Sequence, residues 1–333
     1  MIKQQPGTEP NAFQKAKAEL TYGMFIHFGV NTYVDKEWTD GTVPASVFNP
    51  VGLNPEQWVM TARDAGMKYI VLVTKHHDGF CLWDSPHTTY DVGSAPVKTD
   101  VVKAVSDACR KYGIKMGLYY SLWDRKEETY KTDFSKGYIS YMKMQLTELM
   151  SNYGEICELW FDGGWEKPAA DWKLDELYDL VKTLQPQCQI GVNGTIGNAE
   201  KTGVLSMLWK RPILQRNGDA IRFFPSDFRL DDPDLTRKVD PKCFTHQGKT
   251  YYLPFEATQC LKTTWFYNTK NETGKTRTVG KIVKAYKHLV AQGNTLVLNA
   301  APNREGLLMQ SDIDTLLAAA KALGISMVKG CAE

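Results

Sequence analysis

The chain has 333 residues, 43% hydrophobic and 23% charged, the balance of a globular protein with room for one large domain or two ordinary ones. Its 40 basic and 38 acidic residues are interspersed and leave a net charge of +2, which excludes the strongly basic patterning of a nucleic-acid or anionic-membrane partner and favours a neutral ligand. No run of 18 apolar residues occurs, and Met1 to Pro10 lacks the apolar core of a signal peptide, so the chain as given reads as cytosolic. The seven cysteines are scattered, odd in number and never in a CxxC spacing, as expected of free thiols in a reducing compartment.

In chain order, amphipathic stretches predict helices over 11–20, 55–65, 101–112, 138–152, 174–183, 278–291 and 311–323. Capping chemistry opens several of them, with Asn54 before Pro55, Thr99-Asp100 before Val101 and Ser311 before Asp312, and glycines such as Gly66, Gly113, Gly154 and Gly293 close them. Between them fall apolar, β-rich runs that predict strands over 25–28, 69–74, 116–121, 158–161, 190–192, 251–255 and 295–299. Strand followed by helix, repeated at least five times, favours a parallel sheet with right-handed crossovers.

A closed barrel is favoured over an open doubly wound sheet. The GxGxxG turn of a dinucleotide fold is absent, and polar or ionisable residues end nearly every strand instead of gathering at one switch point. The expected fold is α/β, a (β/α)8-like TIM barrel, as a single catalytic domain over 1–333. The irregular span 203–249, with Arg211-Pro212, Asn217-Gly218 and Asp231-Asp232-Pro233-Asp234, is expected as a loop insertion over the mouth.

The run Glu158-Leu159-Trp160-Phe161-Asp162-Gly163-Gly164-Trp165 delivers a carboxylate at the end of a buried strand, with two glycines leaving room for a sugar ring. Leu253-Pro254-Phe255-Glu256 reads as a second such end, in an apolar setting that favours a protonated acid. Two carboxylates in an aromatic-walled pocket are what glycoside hydrolysis needs, with Asp162 as nucleophile and Glu256 as general acid. A lone carboxylate at a strand end also caps helices or pairs with lysine. His76-His77-Asp78 lacks the HxH or HxxxH spacing of a chelating pair, so neutral imidazoles bonding sugar hydroxyls fit better than a metal. His27 is open to the plainer reading of a satisfied core histidine. Nine tryptophans, many beside strand ends, suit either packing or the C–H faces of a pyranose.

The strings Tyr22 to Gly29 (YGMFIHFG), Lys36-Glu37-Trp38, Lys75 to Trp83 (KHHDGFCLW), Gly117 to Arg125 (GLYYSLWDR), Leu159 to Gly164 (LWFDGG) and Gly293 to Pro302 (GNTLVLNAAP) resemble the α-L-fucosidases of glycoside hydrolase family 29. Order and rough spacing hold from about residue 20 to about residue 325. The resemblance implies a retaining double displacement in which Asp162 attacks the anomeric carbon and an acid/base carboxylate, Glu256 or otherwise Glu37, serves the leaving oxygen and then water. It implies fucose recognition by His27, Glu37, Trp38, His76, His77, Tyr119 and Trp160, with Trp265 near the C-6 methyl. A fucosylated oligosaccharide is the implied partner, with no cofactor and no metal. Leu122-Trp123-Asp124-Arg125 and Trp265-Phe266-Tyr267 resemble the subgroup acting on α-1,3/1,4-fucosides.

Two departures stand out. The arginine that family members commonly carry after the fifth-strand asparagine is replaced by Asn193-Gly194-Thr195, so its role passes to Arg211 or to no residue. The chain stops about 30 residues after Pro302, without the usual C-terminal β-sandwich, as a single-domain enzyme or an excised catalytic domain would. A non-catalytic fucose-binding barrel and a glycosidase for a related sugar such as an L-galactoside are the alternatives.

Overall fold

The computed structural model describes residues 1–196, 215–230 and 239–327. Eight parallel strands close into a barrel: β1 (Tyr22–Ile26), β2 (Tyr69–Lys75), β3 (Lys115–Ser121), β4 (Ile156–Asp162), β5 (Gln189–Asn193), β6 (Phe228–Leu230), β9 (Phe255–Cys260) and β10 (Thr295–Asn299). They run in chain order round the ring, and a separate antiparallel hairpin, β7 (Cys243–His246) with β8 (Lys249–Tyr252), interrupts the sequence between β6 and β9. The (β/α)8 barrel is therefore the fold.

The helices form where the apolar periodicity put them, over Pro55–Asp64, Val101–Tyr112, Ile139–Asn152, Leu174–Leu184, Val279–Val290 and Gln310–Leu323. Asn54 accepts from the Gln57 amide and Asp100 from the Lys103 amide, while Gly113 ends its helix at φ 68°. Ser311 lies inside its helix instead of capping it. Ahead of β1 a short helix, α1 (Ala12–Ala18), opens on an Asn11/Gln14 capping box and closes the floor of the barrel.

Period-two alternation sends one set of side chains outward and another inward. Met24, Ile70, Leu118, Leu159, Val192 and Leu298 pack under the helices, whereas Phe25, Val71, Tyr119, Trp160 and Val297 fill the barrel. Near the floor the strands alternate small and large. A Cβ on Gly23 would meet the Tyr69 ring at 2.6 Å, one on Gly117 the Glu158 side chain at 2.6 Å, and one on Gly191 the Phe228 ring at 2.5 Å. These glycines admit three large side chains to a narrow floor layer.

Two expectations are corrected here. The run 251–255 is not one strand: Pro254 has no N–H to donate, and it separates hairpin strand β8 from barrel strand β9, which starts at Phe255. The span 203–249 is not simply an insertion, because its described part supplies β6, a stave of the barrel, and most of the hairpin. The six described cysteines are free, and Cys331 lies outside the described residues.

Candidate active site

The C-terminal ends of the strands surround a cavity of about 560 Å³. His27, Glu37, Trp38, His76, His77, Tyr119, Trp160, Asp162 and Trp265, all anticipated from the sequence, line it together with Phe25, Trp165, Asn193, Gly194, Thr263 and Thr264. Another cavity, of about 610 Å³, lies between the N-terminal segment and the β7–β8 turn, but its Asp171 is ion-paired with Lys173 and none of the strand-end carboxylates reaches it.

Asp162 ends β4 and lines the cavity, with its side chain 14% exposed. Its Oδ1 accepts from the Gly163 amide at 2.7 Å, Asn193 Nδ2 at 3.0 Å and Trp165 Nε1 at 3.4 Å. Tyr119 Oη donates to Oδ2 at 2.8 Å, and His77 Nε2 lies 3.6 Å from the same oxygen. Donors from the two flanking strands, β3 and β5, and from the following turn thus fix the plane of the carboxylate. Gly163 sits at φ 80°, and a Cβ there would come within 2.7 Å of Trp123 Cβ and 3.2 Å of His77 Cε1. The first glycine of the pair therefore serves the turn and the packing beneath it.

The imidazoles are neutral, and those of His27 and His77 are oriented by hydrogen bonds. Asn299 Nδ2 donates to the Trp265 carbonyl at 2.7 Å, so its Oδ1 accepts the proton on His27 Nδ1, also at 2.7 Å. Burial lowers the His27 pKa to about 3, leaving Nε2 as a neutral acceptor at physiological pH. Ser121 does the same for His77, donating to the Trp123 carbonyl and accepting from His77 Nδ1 at 2.7 Å. Burial also depresses His76 and His77, His76 strongly. In a histidine-labelled sample, His27 is expected to keep neutral, Nδ1-protonated nitrogen shifts from pH 8 to pH 5; an imidazolium spectrum at pH 5.5 would contradict the assignment. Asn299 and Ser121 escaped notice in the sequence, although each is the polar last residue of its strand.

Glu37 lies at the rim, where Oε1 and Oε2 accept the Trp265 amide at 2.9 and 3.1 Å. Burial raises its pKa against the opposing pull of those bonds. Trp38, 49% exposed, stacks on Trp165 with ring centroids 5.6 Å apart and meets His77 edge-on. Among the described residues no group of three or more His, Cys, Asp and Glu could hold a metal, and no helix is long and apolar enough to cross a membrane.

Glu256 is the correction at this site. It is the second residue of β9, beside Thr295 at the start of β10, and so lies at the floor of the barrel away from the mouth. It is 1% exposed and bound to Lys17, Tyr69 and Trp160, and it does not line the cavity. An acid there cannot reach a leaving group. Arg211, to which the missing arginine's role was expected to pass if to any residue, lies outside the described residues.

The family model described as Alpha-L-fucosidase matches residues 3–326. The chain belongs to the alpha-L-fucosidase family. Alpha-L-fucosidase 1 of Arabidopsis thaliana is 33% identical over 312 residues, covering 88% of this chain and 56% of its own length. A glycoside hydrolase 29 family member from an unknown rumen bacterium superposes with a TM-score of 0.76 at 28% identity, covering 96% of this chain and 58% of that one. Alpha-L-fucosidase isoenzyme 1 from Paenibacillus thiaminolyticus gives 0.74 at 28% identity, covering 94% and 75%. The chain spans little more than half the length of the plant relatives it matches.

Proposed function

We propose that this chain hydrolyses terminal α-L-fucosides with retention of configuration, through a covalent fucosyl intermediate on Asp162. The observation that carries the reading is the carboxylate of Asp162, held by four hydrogen-bond donors in a pocket whose imidazoles accept hydroxyls and whose Phe25, Trp160 and Trp265 offer an apolar wall. Asp162 attacks the anomeric carbon as the glycosidic C–O bond breaks, and an acid gives its proton to the departing oxygen. Water, deprotonated by the same group, then cleaves the intermediate.

With Glu256 remote, Glu37 is the other carboxylate lining the cavity among the described residues, and its raised pKa suits an acid. The α-1,3/1,4 preference rests on the Leu122 to Arg125 and Trp265 to Tyr267 strings. A fucosylated oligosaccharide is the substrate class, and the site uses no cofactor.

The test is hydrolysis of an aryl α-L-fucoside beside a branched α-1,3/1,4-fucosylated oligosaccharide, with the first-formed anomer followed by NMR. Release of α-fucose supports retention, and turnover of the branched glycan alone supports the subgroup. Fucose binding without turnover of either would point to a non-catalytic barrel. Glu37→Ala separates acid from binder: loss of the acid is expected to slow a poor leaving group by about 10²–10⁴-fold and a highly activated one far less. Equal losses on both would make Glu37 a sugar contact instead of the acid.

A further inference from the structure

The floor of the barrel holds a charged cluster that the chemistry at the mouth does not use. Lys17 Nζ of α1 lies 2.6 Å from Glu158 Oε2 and 2.5 Å from Glu256 Oε2, with all three side chains at most 5% exposed. Glu256 divides its two oxygens. Oε2 takes Lys17, the Tyr69 hydroxyl at 2.7 Å and Thr295 Oγ1 at 3.3 Å, while Oε1 takes Trp160 Nε1 at 2.6 Å. Trp160 is the residue between Glu158 and Asp162 on the inward face of β4, and its ring both lines the cavity and lies beside Tyr119, centroids 6.4 Å apart at 28°. Tyr119 in turn donates to Asp162.

We infer that Glu256 is a positioning residue for the sugar pocket, holding the Trp160 indole through its N–H so that the wall facing the substrate is set from the floor of the barrel. The inference rests on the reading of the cavity as a fucoside site. A buried indole donor is oriented by its acceptor, and here the acceptor is a carboxylate anchored on its other oxygen by a lysine and a hydroxyl. The three glycines that open the floor layer make space for this arrangement.

The anchoring predicts an asymmetric response to Glu256→Gln. Three donors crowd the Oε2 side, so the amide oxygen must face them and the amide nitrogen must face Trp160 Nε1, donor against donor. Lys17 keeps Glu158 as counter-ion, and the fold is expected to survive. Misplacing the indole should lower kcat/KM on an aryl α-L-fucoside and weaken L-fucose binding by about 10- to 100-fold. In a Trp160→Phe background there is no N–H to oppose, and the same substitution should change both constants less than about twofold. The Trp160 indole N–H resonance should shift with Glu256→Gln in protein without ligand.

The cycle is measured in fully folded protein, by steady-state kinetics, calorimetry with L-fucose and ¹H–¹⁵N NMR of the indoles. Equal losses with and without the indole N–H, or a Glu256→Gln protein that is less stable but has unchanged constants and an unchanged indole resonance, would overturn the assignment. A wild-type chain that neither binds fucose nor cleaves the fucoside would sink the functional reading instead, and the indole resonance would still decide this one.

Discussion

Replacing Asp162 with glycine is expected to lower kcat on an aryl α-L-fucoside by about 10⁴-fold or more, roughly 5 kcal/mol of transition-state stabilisation, while the protein stays folded. Folding should survive because the carboxylate is a cavity group: Asn193, Tyr119 and Trp165, which donate to it, line the same cavity and can turn to water once it is gone. A merely slow enzyme does not identify a nucleophile, and azide makes the distinction. With the carboxylate removed, azide can enter from the vacated side and bond to the anomeric carbon as the aryl oxide departs, giving a fucosyl azide of inverted configuration. Activity within tenfold of wild type would remove Asp162 from the mechanism; a folded variant that yields no azide adduct would leave its role as a binding one.

The second large effect falls at the opposite end of the barrel. Lys17→Met leaves Glu158 and Glu256 buried without their cation, and breaking such a cluster by removing one partner costs about 3–5 kcal/mol. The loss should depend on pH. Burial, and next the charge of Glu256, already raise the Glu158 pKa to about 8, and removing the ammonium, which opposes that rise, pushes it further up. A carboxyl whose pKa is higher folded than unfolded favours the fold fully below about pH 4.5, and that contribution drains away as pH rises towards the folded value. The deficit against wild type in urea should therefore be small near pH 4.5 and largest above pH 8. A deficit that is constant across that range would mean that Lys17 acts through its methylene packing on Phe228 and Tyr69, with ring centroids 4.4 and 5.3 Å from Nζ, and not through charge.

Asp162 and Glu256 lie at opposite ends of the barrel, and the sequence separated them imperfectly. Asp162 was legible because its signal is local: a buried apolar run, a carboxylate, then glycine in a turn that needs positive φ. His27, His76, His77 and Tyr119 were legible for the same reason, each at or just past the end of an apolar run. Glu256 misled because it too follows an apolar run, but that run belongs to β8 and the turn at Pro254, and the carboxylate opens β9 instead of closing it. Local pattern reports that a strand lies nearby; it does not report the strand's direction relative to a given residue. The sixth stave, Phe228–Leu230, was invisible because it is only three residues long and carries Arg229, whose burial depends on an ion pair with Asp240.

The amino-acid sequence alone determined the alternation of strand and helix, the Asn54 and Asp100 caps, the closed barrel and most of the side chains that line its mouth, since each follows from period, propensity or a turn that only certain residues can make. The tertiary structure decided which of them meet. Asn193 on Asp162, Asn299 on His27 and Glu256 on Trp160 are contacts between different strands. Their pairing is set by register and by the parity that points alternate side chains into the barrel, and no stretch of sequence contains both partners.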